Sequence, residues 1–161
     1  MAENSLKFEH RDLHWGNVLI KETNEKKPVS FTLDGDIFEV ETRGVVTSVI
    51  DFSLSRAEIE EKLIYNNLAE DPSIFQGKGE AQGGDYQFDI YRKMKEKTGN
   101  KWENFRPMTN VMWLHYMLVK MTTKGQVLYS GKRTSKAHKS GEQHLEKSIL
   151  TLHVFFIQVW P

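Results

Sequence analysis

His10-Arg11-Asp12-Leu13-His14-Trp15-Gly16-Asn17 is the segment around which the rest of this chain arranges itself. It sets a carboxylate, Asp12, and a neutral amide, Asn17, at the two ends of a short loop, close enough to face one common partner. Val18-Leu19-Ile20 follows at once as an apolar strand candidate. Val29 to Leu33 and Ile37 to Val40 then flank Asp34-Gly35, a dipeptide favoured in two-residue hairpin turns. Val45 to Phe52 is β-branched and apolar and reads as a buried strand. It runs into Ile50-Asp51-Phe52-Ser53, which brings a second carboxylate, Asp51, to the strand's end. A carboxylate there is costly without a partner, and a magnesium ion is such a partner.

Loop, strand, hairpin, strand and Asp follow one another here as in the C-terminal lobe of a protein kinase. The loop fits the catalytic pattern H-R-D-L-x-x-x-N, and Ile50-Asp51-Phe52-Ser53 stands in the place of D-F-G, with Ser53 where Gly is usual. The pattern has a chemical reason. Phosphoryl transfer needs a carboxylate to accept the substrate hydroxyl proton while the oxygen attacks in line. It also needs oxygen ligands for Mg²⁺, a hard cation held by few protein groups, and the Asn17 amide offers one. Asp12 and Asp51 could instead be mere cap and turn residues, but the whole order of elements argues against that. A metal pair of His10 and His14 lacks a third ligand at a sensible spacing.

Further along, Arg56 to Leu68 has helical spacing, with Ile59, Leu63 and Leu68 on one face. Gln76 to Gly84 is a polar, Gly-rich loop, expected to be mobile. Asp85 to Lys97 predicts a helix with Asp85 as N-cap and Phe88, Tyr91 and Met94 inward. Pro107 precedes a second helix, Asn110 to Met121, in which Trp113, His115 and Tyr116 read as packed core. Lys124 to Lys147 is polar and basic, and poor order is expected there.

The chain has 161 residues and zero formal net charge, with 22 Lys plus Arg against 22 Asp plus Glu. That length allows one domain with a real core, and the balance excludes bulk attraction to nucleic acid. There is no cysteine, which excludes a disulfide scaffold and a cysteine zinc site. Met1 to Lys7 lacks a signal-peptide core. Ile149 to Trp160, interrupted by Thr151, His153 and Gln158, is too short to span a membrane. A soluble protein of the cytosol or nucleus is expected. The eight acids between Ala57 and Asp89 outnumber Lys62 and Lys78. They read either as solvated surface or as a seat for a basic peptide.

Several longer stretches are similar to the haspin family of histone-tail kinases: Asp12-Leu13-His14-Trp15-Gly16-Asn17, with His14 where most kinases carry Lys; Asp51-Phe52-Ser53-Leu54-Ser55-Arg56; Gly84 to Arg92; and Asn110 to Tyr116. The resemblance runs from about Lys7 to about Met121 and implies an α+β, protein-kinase-like C-terminal lobe. That lobe would be mainly helical, with a small β-hairpin region near the catalytic loop and no N-terminal lobe. Residues 122–161 would form a divergent basic, then apolar, tail. The resemblance implies ATP and Mg²⁺, with Asp12 as catalytic base. Asn17 and Asp51 would hold the metal and, with His14, face the nucleotide. His10 and Arg11 would be structural, and Asp89 would hydrogen-bond the catalytic loop from the start of a helix. The implied substrate is the basic N-terminal tail of histone three, phosphorylated on a threonine in mitosis, with Asp71 and Asp85 receiving its cations. Ser73, standing where the family has a second acid, and a longer loop at Gly77 to Gly84 depart from the family pattern. A monomer in the nucleus, on chromosomes through the histone, is implied, with neither nucleic-acid readout nor membrane contact.

Eleven residues precede Asp12. They hold no Gly-rich phosphate loop and no V-A-I-K lysine, the parts that clamp ATP. The isolated chain is therefore expected to transfer phosphate very slowly or not at all. Three readings compete: part of an active histone kinase, a non-catalytic module that binds the histone tail, and a degenerate product without a stable fold.

Overall fold

Strand pairing follows the β-branched runs. In the computed structural model, which describes residues 2–24, 27–33, 35–42 and 44–129, Val18–Glu22 (β1) pairs antiparallel with Val45–Val49 (β4), with Val18 opposite Val49. Between them Val29–Leu33 (β2) and Asp36–Val40 (β3) form the hairpin expected around Asp34-Gly35. Gly35 has φ +93°, a left-handed value that only Gly adopts cheaply. Among the described residues there are three two-stranded ladders, more strand than one small hairpin region, alongside the helices Ala2–Leu6 (α1), Tyr86–Thr98 (α2) and Met108–Tyr129 (α3). The class is α+β.

Two expectations are corrected. β4 is not buried: Val45, Val46 and Val49 are each more than two-fifths exposed, as are Leu19 and Ile20 of β1. An apolar run on both faces of a strand signals burial only where layers cover both faces, and β1–β4 is a two-stranded ribbon. The second correction concerns Arg56 to Leu68. Instead of a helix it holds Arg56–Ile59 (β5) and Lys62–Tyr65 (β6), an antiparallel hairpin with Ile59 opposite Lys62. The helical spacing is overridden because Arg56 is taken as a strand partner by Glu9, with Glu9 N–H to Arg56 O and Arg56 N–H to Glu9 O both 2.9 Å. Leu68 is buried, while Ile59 and Leu63 are exposed.

The β5–β6 turn is Glu60-Glu61, with φ +49° and +64°. Two-residue hairpin turns favour positive φ at both positions, which suits Asn-Gly and strains other residues. The double change Glu60→Asn/Glu61→Gly is expected to stabilise the chain by about 1 kcal/mol, read as a higher thermal midpoint. A lower midpoint would show that the two glutamates contribute more than their backbone strain removes.

α2 begins as expected: Asp85 is its N-cap, its side chain accepting from Gln87 N–H at 2.9 Å, and Gly99 ends it in the left-handed conformation. Ile90, Tyr91 and Met94 are buried; Phe88 is half-buried. The loop before it, expected to be mobile, is fastened. It follows the 3₁₀ turn Pro72–Phe75 and holds the 3₁₀ turn Glu80–Gln82, and Arg92 of α2 donates to Phe75 O (3.1 Å) and Gly77 O (2.8 Å). The backbone closes so tightly that a Cβ on Gly84 would lie 1.9 Å from Lys78 O.

α3 follows Pro107 and continues past Met121 to Tyr129. Residues 130–161, including most of the basic stretch and the apolar run from Ile149, lie outside the described residues. The chain divides into two units, Met1–Trp113 and Leu114–Pro161. The first has Leu68, Ile90, Met94, Trp102, Met112 and Trp113 in its core. In the second, Tyr116 is buried, and the Lys120 Nζ lies 5.4 Å from its ring centroid. Among the described residues no helix is long and apolar enough to cross a membrane.

Candidate active site

The segment from Glu9 to Asn17 crosses the first unit almost fully buried at its start and opens at His14 to Gly16. Arg11 takes φ +64°, and its side chain is fully buried. The guanidinium makes a two-pronged pair with Glu9, Nε to Oε2 at 3.1 Å and a terminal nitrogen to Oε1 at 3.0 Å. It also donates to Trp102 O (2.7 Å) and Asn104 O (3.3 Å), with its carbon 5.5 Å from the Trp102 ring centroid. Glu9 is saturated by Arg106 N–H (2.8 Å) and the Thr109 hydroxyl (2.7 Å).

His10 is buried between Phe8 and Phe52, with ring centroids at 6.3 and 5.3 Å. Burial pushes its pKa below the ordinary histidine value, outweighing the Ile50 carbonyl and the Asp12 charge. As a neutral ring it satisfies both nitrogens: Nε2–H donates to Ile50 O (3.2 Å) and Nδ1 accepts from Asp12 N–H (3.3 Å). Neither nitrogen is directed to a metal. Asn110 holds the loop from α3, accepting from His10 N–H (3.0 Å) and donating to Phe8 O (2.8 Å).

Asp12 is 8% exposed. Burial raises its pKa above the usual carboxylate value, and a hydrogen bond from Tyr91 and the nearby His14 and His10 oppose that rise. The Tyr91 hydroxyl donates to Oδ1. His14 Nε2 lies 3.8 Å from the same oxygen, and His14 Nδ1 accepts from Gly16 N–H at 3.1 Å. The Asn17 amide nitrogen donates to Asp12 O at 2.9 Å and lies 3.4 Å from Oδ2. That leaves the Asn17 side-chain oxygen as the group it can offer to a cation.

Asp51 comes alongside through the β1–β4 ladder, whose last bond runs from Ile50 N–H to Asn17 O at 3.0 Å. Its backbone is left-handed, with φ +61°. Contrary to expectation it is exposed. Its pKa is lowered, first by the Ser53 side chain and then by Ser53 N–H at 3.1 Å. An exposed carboxylate beside a neutral amide fits Mg²⁺, which keeps several waters and takes one or two protein carboxylates plus phosphate oxygens.

Asp71 and Asp85 stand apart from this cluster. Asp71 caps the turn Pro72–Phe75, and Ser73 donates to it through N–H (3.1 Å) and hydroxyl (2.5 Å), which lowers its pKa. Asp85 caps α2. Asp89 is corrected: it does not bond the catalytic loop. Its oxygens take Glu80 N–H and Arg92, both at 2.7 Å, which pins the loop before α2. Sequence reasoning missed the roles of Glu9, Tyr91 and Asn110. Tyr91 had a signal in its inward position on α2, and Glu9 in its place two residues before Arg11.

A family model described as a haspin like kinase domain matches residues 1–153, past Met121 where the resemblance was read as ending. The serine/threonine-protein kinase haspin of Bos taurus is 38% identical over 152 residues, covering 94% of this chain and 18% of that protein. The Mus musculus haspin is 39% identical over 154 residues, covering 94% and 19%. A haspin homolog of Arabidopsis thaliana is 40% identical over 147 residues, covering 91% and 24%. The chain spans about a fifth of the length of the two mammalian relatives. With the segment from Glu9 to Asn17, the Asp51 segment and α2 all inside the matched residues, the chain belongs to the haspin-like kinase family.

Proposed function

We propose that this chain is the C-terminal-lobe portion of a haspin-type serine/threonine kinase. Its reaction would move the γ-phosphoryl group of ATP to a threonine hydroxyl in the N-terminal tail of histone three. The observation that carries this reading is the mostly buried Asp12 carboxylate, held beside the Asn17 amide with Asp51 on the adjoining strand end. Asp12 accepts the proton of the threonine hydroxyl. The freed oxygen bonds to the γ-phosphorus as the bond from phosphorus to the bridging oxygen breaks, and ADP leaves with that electron pair. Burial makes Asp12 a stronger base than a free carboxylate, which suits a general base near neutral pH. Bound Mg²⁺ would supply charge stabilisation on the phosphates; Asn17 and Asp51 would hold it, and His14 would face the nucleotide.

Asp71 and Asp85 are the acids proposed to meet the tail's Arg and Lys. Because Asp85 also caps α2, its charge must be tested without losing the cap. Asp85→Ser keeps a capping oxygen and removes the charge. It is expected to weaken binding of a histone-three tail peptide about tenfold or more with an unchanged melting temperature. Unchanged affinity would remove Asp85 from the peptide seat. The setting proposed for the protein is the nucleus, on chromosomes through the histone and during mitosis, as a monomer.

The functional test is transfer of labelled phosphate from Mg-ATP to that peptide. It is made with the 161-residue chain and with the native protein at its natural length, each beside its Asp12→Ala variant. Transfer by the native protein that disappears in the variant supports the reading. Transfer that persists in the variant, or none from the native protein, overturns it. The chain alone is expected to be very slow. Peptide binding by the native protein without transfer would point to a binding module.

A further inference from the structure

We infer that Tyr91 is a positioning residue for Asp12, fixing from α2 which carboxylate oxygen is left to meet the substrate hydroxyl. The inference rests on the kinase reading and extends it to a residue outside the catalytic loop. The Tyr91 hydroxyl donates to Asp12 Oδ1. Its ring is 5% exposed and stands edge-on to Trp113 with centroids 5.2 Å apart at 71°. Phe88 tilts against it at 6.2 Å. A phenol held this way has little freedom, so its hydroxyl is a fixed donor rather than an adaptable one. With Oδ1 taken by the fixed phenol, Oδ2, which accepts only a long bond of 3.4 Å from the Asn17 amide, is the oxygen left to turn to a substrate.

The base is thus held by two independent parts of the fold. The loop holds it through Asn17 to Asp12 O, and α2 holds it through Tyr91. α2 is itself fixed at both sides of its first turns, by the Asp85 cap and by the Asp89 and Arg92 bonds to the preceding loop. One rigid helix therefore carries the proposed peptide-binding acid Asp85 at its start and the orienting hydroxyl in its second turn. A peptide docked at Asp85 and the carboxylate that must take its proton are referenced to the same element. Alignment of this kind is where most of the rate in phosphoryl transfer comes from.

Tyr91→Phe removes the hydroxyl and keeps the ring. In the native protein it is expected to lower kcat for peptide phosphorylation about 10- to 100-fold, with KM for ATP and for peptide and the melting temperature unchanged. In the same variant the Asp12 carboxyl carbon resonance, identified by its disappearance in Asp12→Asn, should move from its wild-type position. Wild-type kcat, or an unmoved Asp12 resonance, overturns the positioning role. A fall in kcat matched by a lowered melting temperature also overturns it, since that is loss of packing. If Asp12→Ala is inactive while Tyr91→Phe is fully active, the positioning role fails and the kinase reading stands. Transfer that survives Asp12→Ala overturns both.

Discussion

Glu9→Ala is expected to cost about 3–5 kcal/mol of folding stability, the range for removing one partner of a buried ion pair. Glu9 and Arg11 are both fully buried. Glu9 accepts from Arg11 twice, from Arg106 N–H and from Thr109, so truncation leaves a buried cation without its counter-charge and two further donors without an acceptor. Glu9→Gln fares little better, because its amide NH₂ would face donors. The two carbonyl bonds from Arg11 to Trp102 and Asn104 remain, but they carry no compensating charge. The measurement is equilibrium denaturation of the chain and its variants. The double replacement Glu9→Met/Arg11→Met should be less harmful than Glu9→Ala, since it removes both charges from the core. A Glu9→Ala midpoint within error of the parent would mean that the pair is solvated in solution.

Asp12→Asn is expected to reduce transfer by the native protein about 10²- to 10⁴-fold, the usual worth of a general base. The substitution preserves the shape of the side chain and can keep an oxygen toward Tyr91. It also leaves Asn17 its bond to the backbone carbonyl of residue 12. What it removes is the capacity to take a proton. Folding and ATP binding should therefore survive, and the loss should fall on kcat. Steady-state kinetics with a threonine peptide gives the answer. An Asp12→Asn enzyme with near-parental kcat would move proton acceptance elsewhere in the site.

Local sequence rules were sufficient where the deciding contacts are local. The β2–β3 hairpin followed from its turn dipeptide, and α2 from a cap that bonds two residues ahead. They failed at Arg56 to Tyr65, where spacing suggested a helix, because the choice between helix and strand was made by a partner, Glu9, far back in the chain. They failed at Val45 to Val49 because an apolar strand does not state how many layers will cover it. Asp89 bonds Glu80 N–H in the folded loop before α2, a partner that only the Gly77 to Gly84 closure brings within reach, and Arg92 one turn along the same helix.

The sequence by itself determined the order of the candidate site, since a carboxylate, an amide and a second carboxylate stand at Asp12, Asn17 and Asp51 whatever the packing. It also determined the family. The tertiary structure alone decided what holds those groups in place. Arg11 meets Trp102 across 91 positions, Tyr91 meets Asp12 across 79, and Thr109 meets Glu9 across 100. Such pairings are fixed by the shape of the finished core, because a buried charge or hydroxyl accepts whichever partner the packing brings to it.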